Sequence, residues 1–132
     1  MLFASCHLHA GNPVEALPAI ELAVRLSPRD SFLWFMELGQ AFALSQLWRH
    51  GEAIEHARAS IANRREDFWT HLGLAVVCAQ AGDLEAAKTA TAEILQLRPE
   101  FRLSYLDEAF STAATSYREF IMGALRKSGV AE

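Results

Sequence analysis

Apolar residues return every three or four positions along most of the chain, which is the period of a helix rather than the alternation of a strand, and no window reads as a convincing strand. Asn12-Pro13-Val14-Glu15 is a start signal. The asparagine can cap, proline suits the first helical position, and Glu15 stands where a capping box wants a carboxylate. The helix so opened is predicted to run from about Pro13 to Leu26 and to stop at Ser27-Pro28, because the residue before a proline is pushed out of the helical region. Pro18 falls inside it and is expected to bend it, at a cost on the order of 3 kcal/mol in a regular interior.

The next helix, capped by Asp30 or Ser31, carries Phe32, Trp34, Phe35, Leu38, Phe42 and Leu47 and extends to about Trp48. Asp67 and Asp83 cap helices near Phe68 to Ala81 and Asp83 to Leu97. Phe101, Leu103, Leu106 and Phe110 then form one apolar face. Ser116-Tyr117-Arg118-Glu119 is a capping-box pattern opening a helix to about Lys127, with Tyr117, Phe120, Ile121, Ala124 and Leu125 as its buried stripe and Gly129 as its stop. The expected architecture is all-α, built from short antiparallel helix pairs.

One outline occurs twice. AGNPVEALPAIELAVRLSPRD begins at Ala10 and AGDLEAAKTATAEILQLRPE at Ala81, pairing Gly11 with Gly82, Ala16 with Ala87, Ala19 with Ala90, Leu26 with Leu97 and Pro28 with Pro99, each 71 residues apart. Ala53 supplies the missing middle copy: Ala16, Ala53 and Ala87 are spaced by 37 and 34 residues, so the middle repeat holds three extra residues. Small residues at such positions let neighbouring helices approach closely, and a period near 34 is that of a helix-turn-helix solenoid.

These residues resemble the tetratricopeptide repeat (TPR) family. The third repeat carries Leu74-Ala75, Gly82, Ala87 and Pro99 at the family's positions; the first carries Phe3-Ala4, Gly11, Ala16, Ala23 and Pro28, with Met1 several residues inside its first helix. The second keeps Trp34, Gly51-Glu52-Ala53 and Ala57, with Arg65 where proline is expected and a longer first helix. The resemblance implies a single TPR-like solenoid over 1–132, with repeats at about 1–30, 31–67 and 68–100 and a C-terminal capping segment at 101–132 that covers the last repeat's apolar face. The stretch from Leu26 to Ala87, followed by YREFIMGALRKSGV, further resembles the C-terminal TPR segment of certain bacterial adenylate-cyclase-like and winged-helix regulatory proteins. Only the scaffold role of that segment would carry over.

Composition narrows the function classes. Just over half of the 132 residues are hydrophobic, 21% are charged and the net charge is -4, which argues against disorder and against nucleic acid as a partner. Cys6 and Cys78 form neither a metal-ligand spacing nor a disulfide framework. The opening MLFASCHLHAG lacks a basic n-region and a long apolar core, and no apolar run is long enough to span a bilayer, so no membrane partner and a cytoplasmic location are expected.

In TPR proteins the first helices of the pairs line a concave groove that holds extended peptides or a partner's helix. Helical spacing places Ser5, Leu8 and His9 there from the first repeat, Phe35, Gly39 and Phe42 from the second, and Trp69, Leu72, Val76 and Gln80 from the third. The groove is mainly apolar and lacks the Lys, Arg and Asn clamp with which some TPR domains grip C-terminal carboxylates. Large aromatics such as Trp34 and Phe42 fit a core as well as a groove.

Catalytic signals are weak. Cys6 and His9 share a helix face, but two ligands do not make a metal site, and closing one would need His50, His56 or a carboxylate from another repeat. His71 and Cys78, seven apart on one helix, read as neighbours on one face; Glu52 with Glu55 and Glu15 with Glu21 read as solvated charges. Gly11, Gly51 and Gly82 are read as turn residues, not a phosphate loop. The expected function is therefore a non-catalytic module, without catalytic residue, metal or cofactor, that binds an unidentified protein or peptide in its groove. The alternative is a structural role, as a homodimer or as the C-terminal scaffold of a larger bacterial regulatory protein, with the apolar N-terminal end paired to another molecule.

Overall fold

The computed structural model describes residues 11–27, 29 and 31–132. Among them are seven helices and no strand: α1 (Pro13–Leu26), α2 (Leu33–Gln46), α3 (His50–Asn63), α4 (Phe68–Gln80), α5 (Leu84–Leu97), α6 (Leu103–Ala109) and α7 (Thr115–Lys127). The fold is all-α and repeat-like. Each of α1 to α4 packs on the next, and α2 also packs on α4.

The pairs are antiparallel, as their end-to-start contacts show. Ser60 near the end of α3 donates to the Trp34 carbonyl near the start of α2 (2.7 Å), and Arg98 just past α5 lies over the Phe68 ring that begins α4. The spacing alanines Ala16, Ala53 and Ala87 are all fully buried. With no side chain beyond Cβ, they let helix axes come close and set the stacking distance. A second small residue does the same between first helices: a Cβ added to Gly73 would collide with Leu38 Cδ1.

Local capping follows the sequence in part. The Asp67 side chain accepts from the Trp69 N–H (2.9 Å) and Asp83 from the Ala86 N–H (3.1 Å), each satisfying one orphan donor of a helix start. Asn12 flanks α1 without a side-chain cap bond, and α1 runs unbroken from Pro13 through the exposed Pro18. Phe32, rather than Ser31, is the cap residue of α2; Asp30 lies outside the described residues. Ala114 precedes α7, so Ser116 falls inside that helix and no capping box forms.

The turn of the second repeat is a correction. Gly51 is in the first turn of α3, and the turn position belongs to Trp48. In the third repeat Gly82 takes φ +88, its N–H bonding to Ala79 O and the next N–H, of Asp83, to Cys78 O. Trp48 takes φ +65, with its N–H on Ser45 O and the Arg49 N–H on Leu44 O. Both are Schellman closures that require a left-handed residue. One uses glycine and the other tryptophan. The extra residues also fall differently from the expected long helix: the α1–α2 link has six residues against four between α3 and α4, whereas α2 exceeds α4 by one.

The C-terminal segment covers more than the end of the stack. Phe101, Leu103, Leu106 and Phe110 are buried as the pattern requires, and α7 buries Tyr117, Ile121, Ala124 and Leu125. Helix α7 packs on α4, its Phe120 and Tyr117 rings meet Phe42 of α2 edge-on, and Ser128 just past it accepts from Thr91 of α5 (3.0 Å). At its other end Ser116 Oγ lies so close to Gly11 that a Cβ there would be 2.6 Å away. It therefore bridges the first turn, α2, α4 and α5. A Schellman closure at Gly129 (φ +96) ends it, and the following tail caps α6, Ala131 and Glu132 carbonyls accepting from the Leu103 and Ser104 N–H groups (2.9 and 3.3 Å).

Candidate functional site

The helix α7 decides what remains of the expected groove. Phe42 is only 4% exposed, held in edge-to-face contact by Tyr117 (6.3 Å) and Phe120 (5.9 Å), and Leu72 and Val76 are fully buried. Gln80 is half-buried and donates to the Phe120 carbonyl (3.0 Å). These four side chains are engaged by the chain's own core and do not line an open channel. Phe35 is 38% exposed, while Gly39 and Trp69 are half-buried; Trp69 packs between Phe68 and Phe110. Ser5, Leu8 and His9 lie outside the described residues, as does the Cys6 to His9 segment.

The candidate chemical groups have structural partners. Cys78 is fully buried, and burial pushes its thiol above the ordinary range, away from the thiolate a nucleophile needs. His71 makes a 2.7 Å hydrogen bond to the Arg65 carbonyl and His56 a 2.6 Å bond to Glu37. Among the described residues no three His, Cys, Asp or Glu side chains are grouped to hold a metal ion. Glu52 is bound by Arg49 through two hydrogen bonds (2.6 and 2.8 Å), which hold its carboxyl below the usual range.

Two surface features stand out instead. Trp48 is 81% exposed, the most exposed large apolar side chain described, with its ring edge-on to His50 (5.6 Å). A bulky residue with positive φ is a conformational outlier, and such strain concentrates at functional positions. Counting was enough to find it: turn glycine to spacing alanine is five residues in Gly11–Ala16 and Gly82–Ala87, and five back from Ala53 is Trp48.

The second feature is a cleft of about 300 Å3 where the α3–α4 link meets the end of α5, lined by Arg64, Glu66, Asp67, Phe68, Trp69, Leu97 and Arg98. Arg64 and Arg98 are repeat equivalents, each immediately following the second helix of its pair. Arg64 lies over Trp34 (5.0 Å) and pairs with Asp67 (3.3 Å); Arg98 lies over Phe68 (4.6 Å) and Tyr105 (5.7 Å) and donates to the Tyr105 hydroxyl (3.3 Å). Trp34 and Phe68 are 34 residues apart, as are the two arginines, so the cation-over-ring contact is repeated with the fold. No helix among the described residues is long and apolar enough to cross a membrane. No protein-family model and no curated protein matches the chain.

Proposed function

We propose that the chain is a non-catalytic helical-repeat scaffold, of the TPR type its sequence resembles, that binds a protein partner outside the groove filled by α7. The observation that carries this reading is Trp48. The left-handed region costs a non-glycine residue roughly 1–2 kcal/mol, and glycine serves the equivalent turn at Gly82. Tryptophan held there, four-fifths exposed, gains nothing for the core and presents a rigid, amphipathic side chain of the kind that dominates binding hot spots. The test is affinity capture with the full chain and with Trp48→Gly, a substitution that relieves the turn. A folded Trp48→Gly protein that loses specifically captured proteins supports the reading; one that captures the same proteins in the same yield removes it.

A second reading is self-association through α1. Val14, Pro18, Leu22 and Leu26 are all exposed and recur every four residues, which puts an apolar stripe on one face of that helix. Light scattering across a concentration series separates the two. A stable dimer that becomes a folded monomer on Leu22→Glu identifies α1 as a homotypic interface; a monomer at all concentrations leaves the partner-binding reading alone.

A further inference from the structure

We propose that the cleft between the α3–α4 link and the end of α5 binds a carboxylate carried on an apolar body, with Arg98 as its anchor. The two equivalent arginines isolate the reason. The Arg64 charge is neutralised locally by Asp67, which also caps α4, whereas among the described residues no carboxylate pairs with Arg98. Arg98 is nevertheless fixed, its guanidinium lying over Phe68 and Tyr105 with one N–H on the Tyr105 hydroxyl. A guanidinium has five N–H donors, so one stacked on rings with a single acceptor keeps a planar fork for both oxygens of a carboxylate.

Beside that fork Phe68, Trp69 and Leu97 supply an apolar part of a lining that also holds the charged Arg64, Glu66 and Asp67. An acid bearing an aromatic or branched aliphatic group fits both parts, and about 300 Å3 suits a small body rather than a folded surface. Glu66 is the opposing term. Its exposed carboxylate lines the same cleft without an ion-pair partner among the described residues and repels an anion there. The site thus has a predicted sign at two positions, Arg98 favouring the ligand and Glu66 opposing it.

The test is a nuclear magnetic resonance titration of the full chain, following the Trp69 indole and Arg98 Nε–H signals, with 3-phenylpropionate as probe and 3-phenylpropanamide as the uncharged match. The acid should saturate both signals and bind at least about tenfold tighter than the amide, since a charge-assisted bidentate pair is the main difference between them. Arg98→Gln should weaken the acid by roughly tenfold, with Arg98→Lys between, because lysine keeps the charge and loses the fork. Glu66→Gln, at an exposed link position, should tighten it.

A short peptide ending in phenylalanine, free or amidated, forms the second arm. Tighter binding of the free peptide than of 3-phenylpropionate supports the site and names a chain terminus as the source; the reverse order supports it with a free small acid. Equal binding of acid and amide, insensitivity to Arg98→Gln in a protein whose spectrum is otherwise native, or no saturable shift up to the solubility of the probe overturns the proposal. None of these readouts involves Trp48, so the partner-binding reading stands or falls separately.

Discussion

Arg98 holds its guanidinium 4.6 Å from the centre of the Phe68 ring, closing the end of α5 onto the start of α4, and Arg64 repeats the contact on Trp34 at 5.0 Å. The arrangement suits each repeat's geometry: the second helix ends beside the beginning of the first, where carbonyls left without partners favour a cation. Cation–ring contacts at partly exposed sites contribute about 0.5–1 kcal/mol. Arg64→Gln and Arg98→Gln should each lower the unfolding free energy by that amount in urea denaturation. Substitutions without effect would mean the stacking is incidental to stability.

Trp48→Gly should stabilise the fold. Relief of the left-handed backbone contributes roughly 1–2 kcal/mol, from which the added freedom of glycine in the unfolded chain subtracts about 0.5–1 kcal/mol. A net gain of about 0.5–1 kcal/mol follows, seen as a higher thermal midpoint. The reciprocal change, Gly82→Trp, should destabilise by about 1–2 kcal/mol, because it places the same strain in a turn now free of it. A destabilised Trp48→Gly protein would show that the indole contact with His50 outweighs the backbone term.

The helical period and the caps at Asp67 and Asp83 are legible in the sequence because each is a local choice between a residue and its own backbone, and the spacing alanines because the repeat sets them at equivalent positions. Ala16, Ala53 and Ala87 are buried as the repeat required. The turn at Trp48 carries no such signal, because glycine is the usual mark of a left-handed residue and Gly51 lies close by, inside α3. The packing of α7 against α2 and α4 was beyond local reading. Tyr117 and Phe120 announce an apolar stripe on α7, but nothing in their spacing says that it meets Phe42 and Gln80 rather than only the end of the last repeat. The cleft at Arg98 is likewise a product of separate segments, the α3–α4 link with the start of α4 and the end of α5, with Tyr105 of α6 against the arginine.

Gly73→Ala should lower stability although alanine is the better helix former by about 1 kcal/mol. Its methyl group would enter the space of Leu38 Cδ1, and Leu38 is itself buried between α2 and α4. Overpacking of this kind costs typically about 1–3 kcal/mol. Leu38→Val, which withdraws the colliding atom, should cost less in the Gly73→Ala protein than in the parent, a coupling that a double-mutant cycle in denaturant reads directly. Strict additivity would place the two side chains out of contact.

The bond between His56 and Glu37 should make stability depend on pH above neutrality. The two side chains join α3 to α2 at 2.6 Å and are both largely shielded. The hydrogen bond to Glu37 raises the pKa of His56 above its ordinary 6.5, partly opposed by burial and assisted by the charges of Glu37, Glu55 and Glu52. Since the folded value is the higher one, the folded chain holds its proton more tightly than the unfolded chain. The contribution is complete below about pH 6.5 and is lost as the pH rises through the raised value, where His56 becomes neutral in both states. Thermal midpoints taken from about pH 6 to about pH 9 should therefore show Glu37→Gln costing most at the acidic end and progressively less toward the alkaline end. In a His56→Gln background the same Glu37→Gln change should have an effect independent of pH across that range, because the titrating partner is gone. A cost of Glu37→Gln that stays constant with pH in the parent protein would place the stabilisation in the neutral hydrogen bond rather than in the charged pair.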